Sequence, residues 1–143
     1  MAEPIVQTAV SPSPATLFTY GTLMRMTGHA MAKRLQSQSA YVGAGWIGGR
    51  LYSLGRYPGV VLSGAPLDRA YGEVVRLLNP ARSLAWLDDY EGCGPAHPEP
   101  HDYERVVVPV TLFAGGTLDA WVYAYKGPVS RARRIPAGRF NRL

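Results

Sequence analysis

Between residues 40 and 78 every apolar run is short and closed by glycine or proline: GAGWIGGRLYSLG, then YPGVVLSG, then AYGEVVRLL. Such punctuation interrupts helices and suits short strands joined by turns, so this stretch is expected to be a β-meander. Residues 15–20 predict an earlier strand, and residues 103–113 and 117–126 predict two later ones joined by Ala-Gly-Gly. Helical signals are confined to two places. Residues 24–35 are expected to be helical, with apolar side chains at Leu23 just before them and at Met24, Met31 and Leu35. Asn79-Pro80 opens a second helix, because asparagine accepts hydrogen bonds from free N–H groups and proline fits the first turn, and Gly92 closes it. The expected architecture is α+β: a small sheet curled into a barrel with two helices at its side.

With 143 residues and 47% hydrophobic content, the chain can bury one real core. Residues 15–127 are expected to form that domain. Residues 1–14, with Pro4, Pro12 and Pro14 among small side chains, read as a disordered leader. Residues 128–143 read as a solvated Arg-rich tail. The formal charge of +5 resides there: five of the fifteen basic residues lie in 131–143, which has no acid, and the rest of the chain balances ten against ten. An arginine cluster without an aromatic ladder or a helix-turn-helix predicts no nucleic-acid partner. No run reaches the roughly 18 apolar residues of a membrane span, and the first residues lack a secretion signal, so a cytoplasmic protein without a membrane partner is expected. Cys93 is the lone cysteine, which excludes an internal disulfide and a cysteine-rich zinc site.

Two features could carry chemistry. At 100° per residue, Leu84, Leu87 and Glu91 share one stripe of the second helix, while Trp86, Asp89 and Tyr90 lie elsewhere. A carboxyl facing the core is costly unless paired or set in a cavity, and burial raises its pKa toward that of a useful proton shuttle. A helix-end glutamate bonded to backbone or arginine fits the spacing as well as a catalytic one does. The second feature is FTYGTL, residues 18–23. A glycine between strand and helix can aim N–H groups at an anion or simply make a tight turn. It is not a phosphate loop, since no Gly-rich run or Lys-Ser/Thr follows.

Other templates fit poorly. His29, His97 and His101 are scattered, and the prolines of HPEPH prevent a helical metal pair, so neither a metal nor a cofactor is expected. Cys93, two residues beyond Glu91, could line the same pocket but has no evident base. Trp121, Tyr123 and Tyr125 share a strand face, a core pattern.

FTYGTL, GRLYSL, YPGVV, LDDYEG and YER together, in this order, resemble the γ-glutamylcyclotransferase-like family and its AIG2-like branch over residues 17–126. The resemblance implies a mixed β-barrel enclosing a pocket, and a cofactor-free enzyme that cyclises a γ-glutamyl amide to 5-oxoproline and releases an amine. It makes Glu91 the acid/base and Tyr20, Gly21, Thr22 and Leu23 the substrate loop. Tyr103 would line the pocket, with Arg105 structural. The connection between Glu91 and Tyr103 is longer than in many relatives, which leaves the leaving amine open, as is the oligomeric state. The competing reading keeps the fold without turnover: a binding module for a γ-glutamyl-like or other small anionic ligand.

Overall fold

The computed structural model describes residues 14–24 and 27–140. The expected leader therefore lies, but for Pro14, outside the described residues. Seven strands and two helices follow in the order β1 (Thr16–Thr19), α1 (Ala30–Ser37), β2 (Ser39–Ser53), β3 (Pro58–Leu62), β4 (Arg69–Leu77), α2 (Pro80–Glu91), β5 (Tyr103–Leu112), β6 (Thr117–Tyr125) and β7 (Arg133–Ile135). Strands β2, β4, β1, β6 and β5 pair in that order, and β5 returns to β2 through Gly45↔Leu112 and Trp46↔Thr111, closing a five-stranded barrel. It is mixed, because β1 runs parallel to β6 and antiparallel to β4. The far end of β2 extends beyond the barrel, where β3 and β7 flank it.

Strand alternation sorts the side chains into two cores. Phe18, Ile47, Val74, Val110, Ala120 and Val122 point into the barrel. Leu17, Val75, Leu77 and Tyr123, on the opposite faces, meet Leu35 of α1 and Leu84 and Leu87 of α2. The helices thus cover one side of the barrel. Trp121, Tyr123 and Tyr125 do share a face, with Tyr123 buried and Trp121 packed against the helix-side core.

Two expectations need correction. The first helix does not begin at residue 24. Gly28 takes a left-handed φ of 74°, His29 is extended, and its Nδ1 accepts a hydrogen bond from Met31 N–H at 3.1 Å, so His29 is the N-cap of a helix that starts at Ala30. The Thr27 hydroxyl lies 2.7 Å from the Thr22 carbonyl and 2.9 Å from that of Met24. The second correction concerns the C-terminal segment. Rather than trailing in solvent, it pairs Arg133, Arg134 and Ile135 with Ser53, Tyr52 and Leu51. Ile135 and Phe140 then pack against the barrel core, and the Arg139 guanidinium lies 4.2 Å over the Tyr71 ring. Among the described residues no helix is long and apolar enough to cross a membrane.

Candidate active site

Helix α2 forms as its caps dictate. Asn79 Oδ1 accepts from Arg82 N–H at 3.3 Å, Pro80 occupies the first turn, and Gly92 ends the helix at φ 75°. The N–H of Cys93 returns to the Asp88 carbonyl at 3.0 Å, a glycine-based helix end that a residue with a Cβ would strain. Because Leu84 and Leu87 are anchored in the core, the same stripe carries Glu91 inward at the last helical position. There it meets a cavity of about 230 Å³.

The wall of that cavity is drawn from five parts of the chain. The end of β1 and the turn after it contribute residues 18–23, including Tyr20, Gly21, Thr22 and Leu23. The loop into β3 brings Tyr57 and Pro58, α2 brings Tyr90 and Glu91, and β5 and β6 bring Tyr103 and Tyr123. Gly21 is required for close approach: a Cβ there would come within 2.6 Å of Pro58 Cγ. Having no side chain, it presents its backbone to the cavity. The Gly21 carbonyl accepts from Met24 N–H at 3.0 Å, which closes the turn.

A tyrosine frame holds the wall in place. The buried Tyr20 hydroxyl donates to the Tyr123 carbonyl at 2.6 Å and accepts from Val60 N–H at 3.3 Å, tying β1 to β6 and β3. Tyr103 donates to the Pro58 carbonyl at 2.8 Å, and Thr22 and Tyr90 share a hydrogen bond at 3.4 Å. Behind this wall Asp88 accepts two hydrogen bonds from Arg105, at 2.7 and 3.1 Å, and one from the Tyr123 hydroxyl at 2.7 Å. Arg105 also stacks 4.2 Å over Trp121. The Tyr-x-Arg arginine is thus engaged by a carboxylate one turn before Glu91, outside the cavity wall.

Glu91 is treated differently. Among the described residues no side chain forms an ion pair with it, and burial pushes its carboxyl from the model-compound value of 4.5 up to about 7. Burial first, then the nearby Tyr103 and Glu91, holds the Tyr20 hydroxyl well above its ordinary range, so it stays protonated and neutral. All six residues singled out by sequence, Glu91, Tyr20, Gly21, Thr22, Leu23 and Tyr103, therefore line one cavity. Cys93 does not: it lies in a neighbouring cleft beside Asp88 and Arg105, and burial, then Asp88 and Glu91, pushes its thiol up to about 11. The histidines also stand apart, with His97 Nε2 3.0 Å from Asp89 and His101 Nε2 3.0 Å from the His97 carbonyl.

Sequence reasoning missed Thr19, Tyr57, Pro58, Tyr90 and Tyr123 as wall residues. For Tyr123 a signal existed in its strand-face pattern, and YPGVV held Tyr57 and Pro58. Tyr90 falls off the apolar stripe, yet a tyrosine is long enough to reach the cavity from the flank of the helix.

Fold and cavity together define a class: a closed mixed barrel with helices on one side and an unpaired carboxyl in an aromatic-walled cavity. Residues 17–142 match the family model described as "Gamma-glutamyl cyclotransferase, AIG2-like", and the chain belongs to that family. An AIG2-like protein from Mus musculus is 25% identical over 82% of each chain, with a TM-score of 0.64. Protein ytfP from Escherichia coli is 30% identical over 87% of this chain and 95% of its own, with a TM-score of 0.58. A structure titled gamma-glutamyl cyclotransferase shares the fold at 18% identity, covering 78% of this chain and 66% of its own, with a TM-score of 0.54. No curated protein matches the chain significantly.

Proposed function

We propose that the chain is a cyclotransferase that converts a γ-glutamyl amide to 5-oxoproline and a free amine, with Glu91 as general acid/base. The observation that carries this reading is an unpaired carboxyl, raised to about 7, in the wall of a cavity. Family membership supports the reaction class.

The substrate's own α-amine is the nucleophile, so the protein need supply none. Its nitrogen attacks the γ-carbonyl carbon and closes a five-membered ring as the bond from that carbon to the departing nitrogen breaks. One proton must leave the attacking nitrogen and one must reach the leaving nitrogen. A single carboxyl with a pKa near neutrality can accept the first and return it as the second. The turn at residues 20–23 holds the glutamyl portion, and Tyr103 closes the wall beside it. Holding amine and carbonyl in near-attack geometry can contribute on the order of 7–11 kcal/mol, and a positioned carboxyl about 10²–10⁴-fold in rate.

The test is a panel of γ-glutamyl amides incubated with the purified protein and scored for 5-oxoproline by mass spectrometry. The panel holds amides of an α-amino acid, of a lysine side chain and of a simple alkylamine. Formation of 5-oxoproline by the wild type and its loss in Glu91→Gln is the expected result. Binding of these amides with no 5-oxoproline from any would leave the non-catalytic binding module as the better reading.

A further inference from the structure

Thr19, the last residue of β1, lines the same cavity and is only 5% exposed. Its Oγ1 is the one buried side-chain polar atom among the described residues without a hydrogen-bond partner. An unpartnered buried hydroxyl is costly. Buried polar groups nearly always find partners, so one without a partner in the wall of a cavity calls for an explanation, and a ligand in that cavity supplies one.

The rest of the wall sharpens what that ligand group is. No lysine, arginine or histidine is among the described wall residues. Each tyrosine hydroxyl has one proton to give, and those of Tyr20, Tyr103 and Tyr123 are already given to Tyr123, Pro58 and Asp88. Thr22 and Tyr90 have one bond between them, and Tyr57 stands half-exposed on the rim. Of the buried hydroxyls of the described wall, that of Thr19 is the one with no hydrogen-bond partner at all.

We infer that Thr19 is a substrate-binding residue whose hydroxyl donates to the α-carboxylate of the glutamyl substrate. The inference rests on the cyclotransferase reading above. The α-carboxylate is the group that needs such a donor. It is charged throughout the reaction, it lies on the same carbon as the attacking amine, and no positive side chain of the described wall can neutralise it. Because its charge is the same in ground and transition states, a bond to it acts as uniform binding and is read in KM rather than kcat.

The test uses Thr19→Val, which keeps the shape and removes the hydroxyl, and Thr19→Ser, which keeps the hydroxyl. Both are compared with wild type on the panel amide that wild type turns over fastest and on its α-carboxamide analogue. Thr19→Val is expected to raise KM roughly tenfold on the carboxylate substrate, the scale of a hydrogen bond to a charged group. It should leave kcat within about twofold, and Thr19→Ser should stay near wild type. On the carboxamide the valine variant and wild type should differ little, since the charged partner is gone. Ligand-free melting temperature should be unchanged or raised in Thr19→Val, because an unpaired polar atom has been removed. An unchanged KM, an equal loss on both substrates, a fall in kcat alone, or a lowered ligand-free melting temperature would overturn the assignment. If valine is not accommodated, Thr19→Ala carries the same kinetic comparison and is judged by the kinetic outcomes alone, because it also removes a buried methyl group. An active wild type with an indifferent Thr19→Val sinks this inference alone. A wild type that forms no 5-oxoproline sinks the reading beneath it as well.

Discussion

Two carboxyl groups withdrawn from water, at different places on the barrel, show what decides the fate of a sheltered charge. Asp68, just before β4, accepts from the Ser63 hydroxyl at 2.6 Å, Arg50 Nε at 2.8 Å and an Arg134 terminal nitrogen at 2.9 Å. Those bonds, the one from Ser63 foremost, hold its carboxyl down at about 2. Glu91 has no such partner among the described residues, and burial carries it up to about 7. Shelter from water disfavours charge in both cases; the donors alone reverse the outcome. Asp68 joins β2, the loop before β4 and β7, which is a structural task. Glu91 is left to change protonation near neutral pH, which is a chemical one. Asp88 belongs with Asp68: one turn before Glu91, its acceptors are taken by Arg105 and Tyr123.

The largest effect should come from removing the unpaired member. Glu91→Gln is predicted to lower turnover by at least about 10²-fold, the lower end for a general acid/base, while the fold persists. In wild type, kcat/KM should rise with pH to a midpoint near 7 as the carboxylate form appears, and 5-oxoproline formation across pH 5–9 measures it. The stability sign follows from the raised pKa. Glu91's favourable contribution is complete below its ordinary 4.5 and is lost as pH rises through about 7. Glu91→Gln should therefore gain on wild type in melting temperature at pH 8 and show little gain at pH 4. Near-normal rates would make Glu91 structural and erase the contrast.

Removing everything after Gly127 attacks the paired member. That truncation deletes β7, the Arg134 contact to Asp68, and the packing of Ile135 and Phe140. A fall in melting temperature of several degrees is predicted, on the scale of about 4–8 °C per kcal/mol for a small domain. A truncated protein as stable as the full chain would show that the C-terminal segment packs without contributing.

Asp68→Asn sharpens the same end of the comparison. A lowered pKa makes Asp68's contribution fully present above its ordinary 3.8 and lost as pH falls through about 2. Wild type should lose stability on acidification between pH 4 and 2 by a margin that Asp68→Asn lacks, with catalysis at neutral pH close to wild type. Thermal melts at the two pH values decide it, and parallel losses would remove Asp68 from the account. The smallest effect belongs to Tyr103→Phe, which deletes the 2.8 Å bond to the Pro58 carbonyl. A net cost of about 1 kcal/mol is expected, read as a few-fold rise in KM with the ring retained. A hundred-fold loss of kcat would instead give the hydroxyl a part in the chemistry.

Much of the site was legible because its determinants are local. The caps at Asn79, Pro80 and Gly92 set the phase of α2, and phase alone turns Glu91 to the side of Leu84 and Leu87. The turn at Gly21 was equally plain between an apolar strand and polar residues. Helix α1 was misplaced because His29, a residue the usual capping signals pass over, takes the N-cap role while Gly28 reverses the chain. The packing of residues 133–140 was invisible: a three-residue strand has no periodicity to read, and Arg134 finds its partner 66 positions away. Thr19 escaped as a wall residue for the same reason, since nothing in its neighbours says that a cavity will lie beside it.

The sequence by itself determined the strand-rich α+β class, the ends of α2, the inward turn of Glu91 and the glycine bend after β1, all properties written in neighbours within a few residues. Only the tertiary structure decided that β5 returns to β2 to close the barrel, that Arg105 is spent on Asp88 while Glu91 finds no ion-pair partner among the described residues, and that the Thr19 hydroxyl is buried without a partner. Those outcomes depend on which distant groups arrive within hydrogen-bonding distance. Protonation and polar satisfaction are set by those neighbours in space, and periodicity along the chain does not encode them.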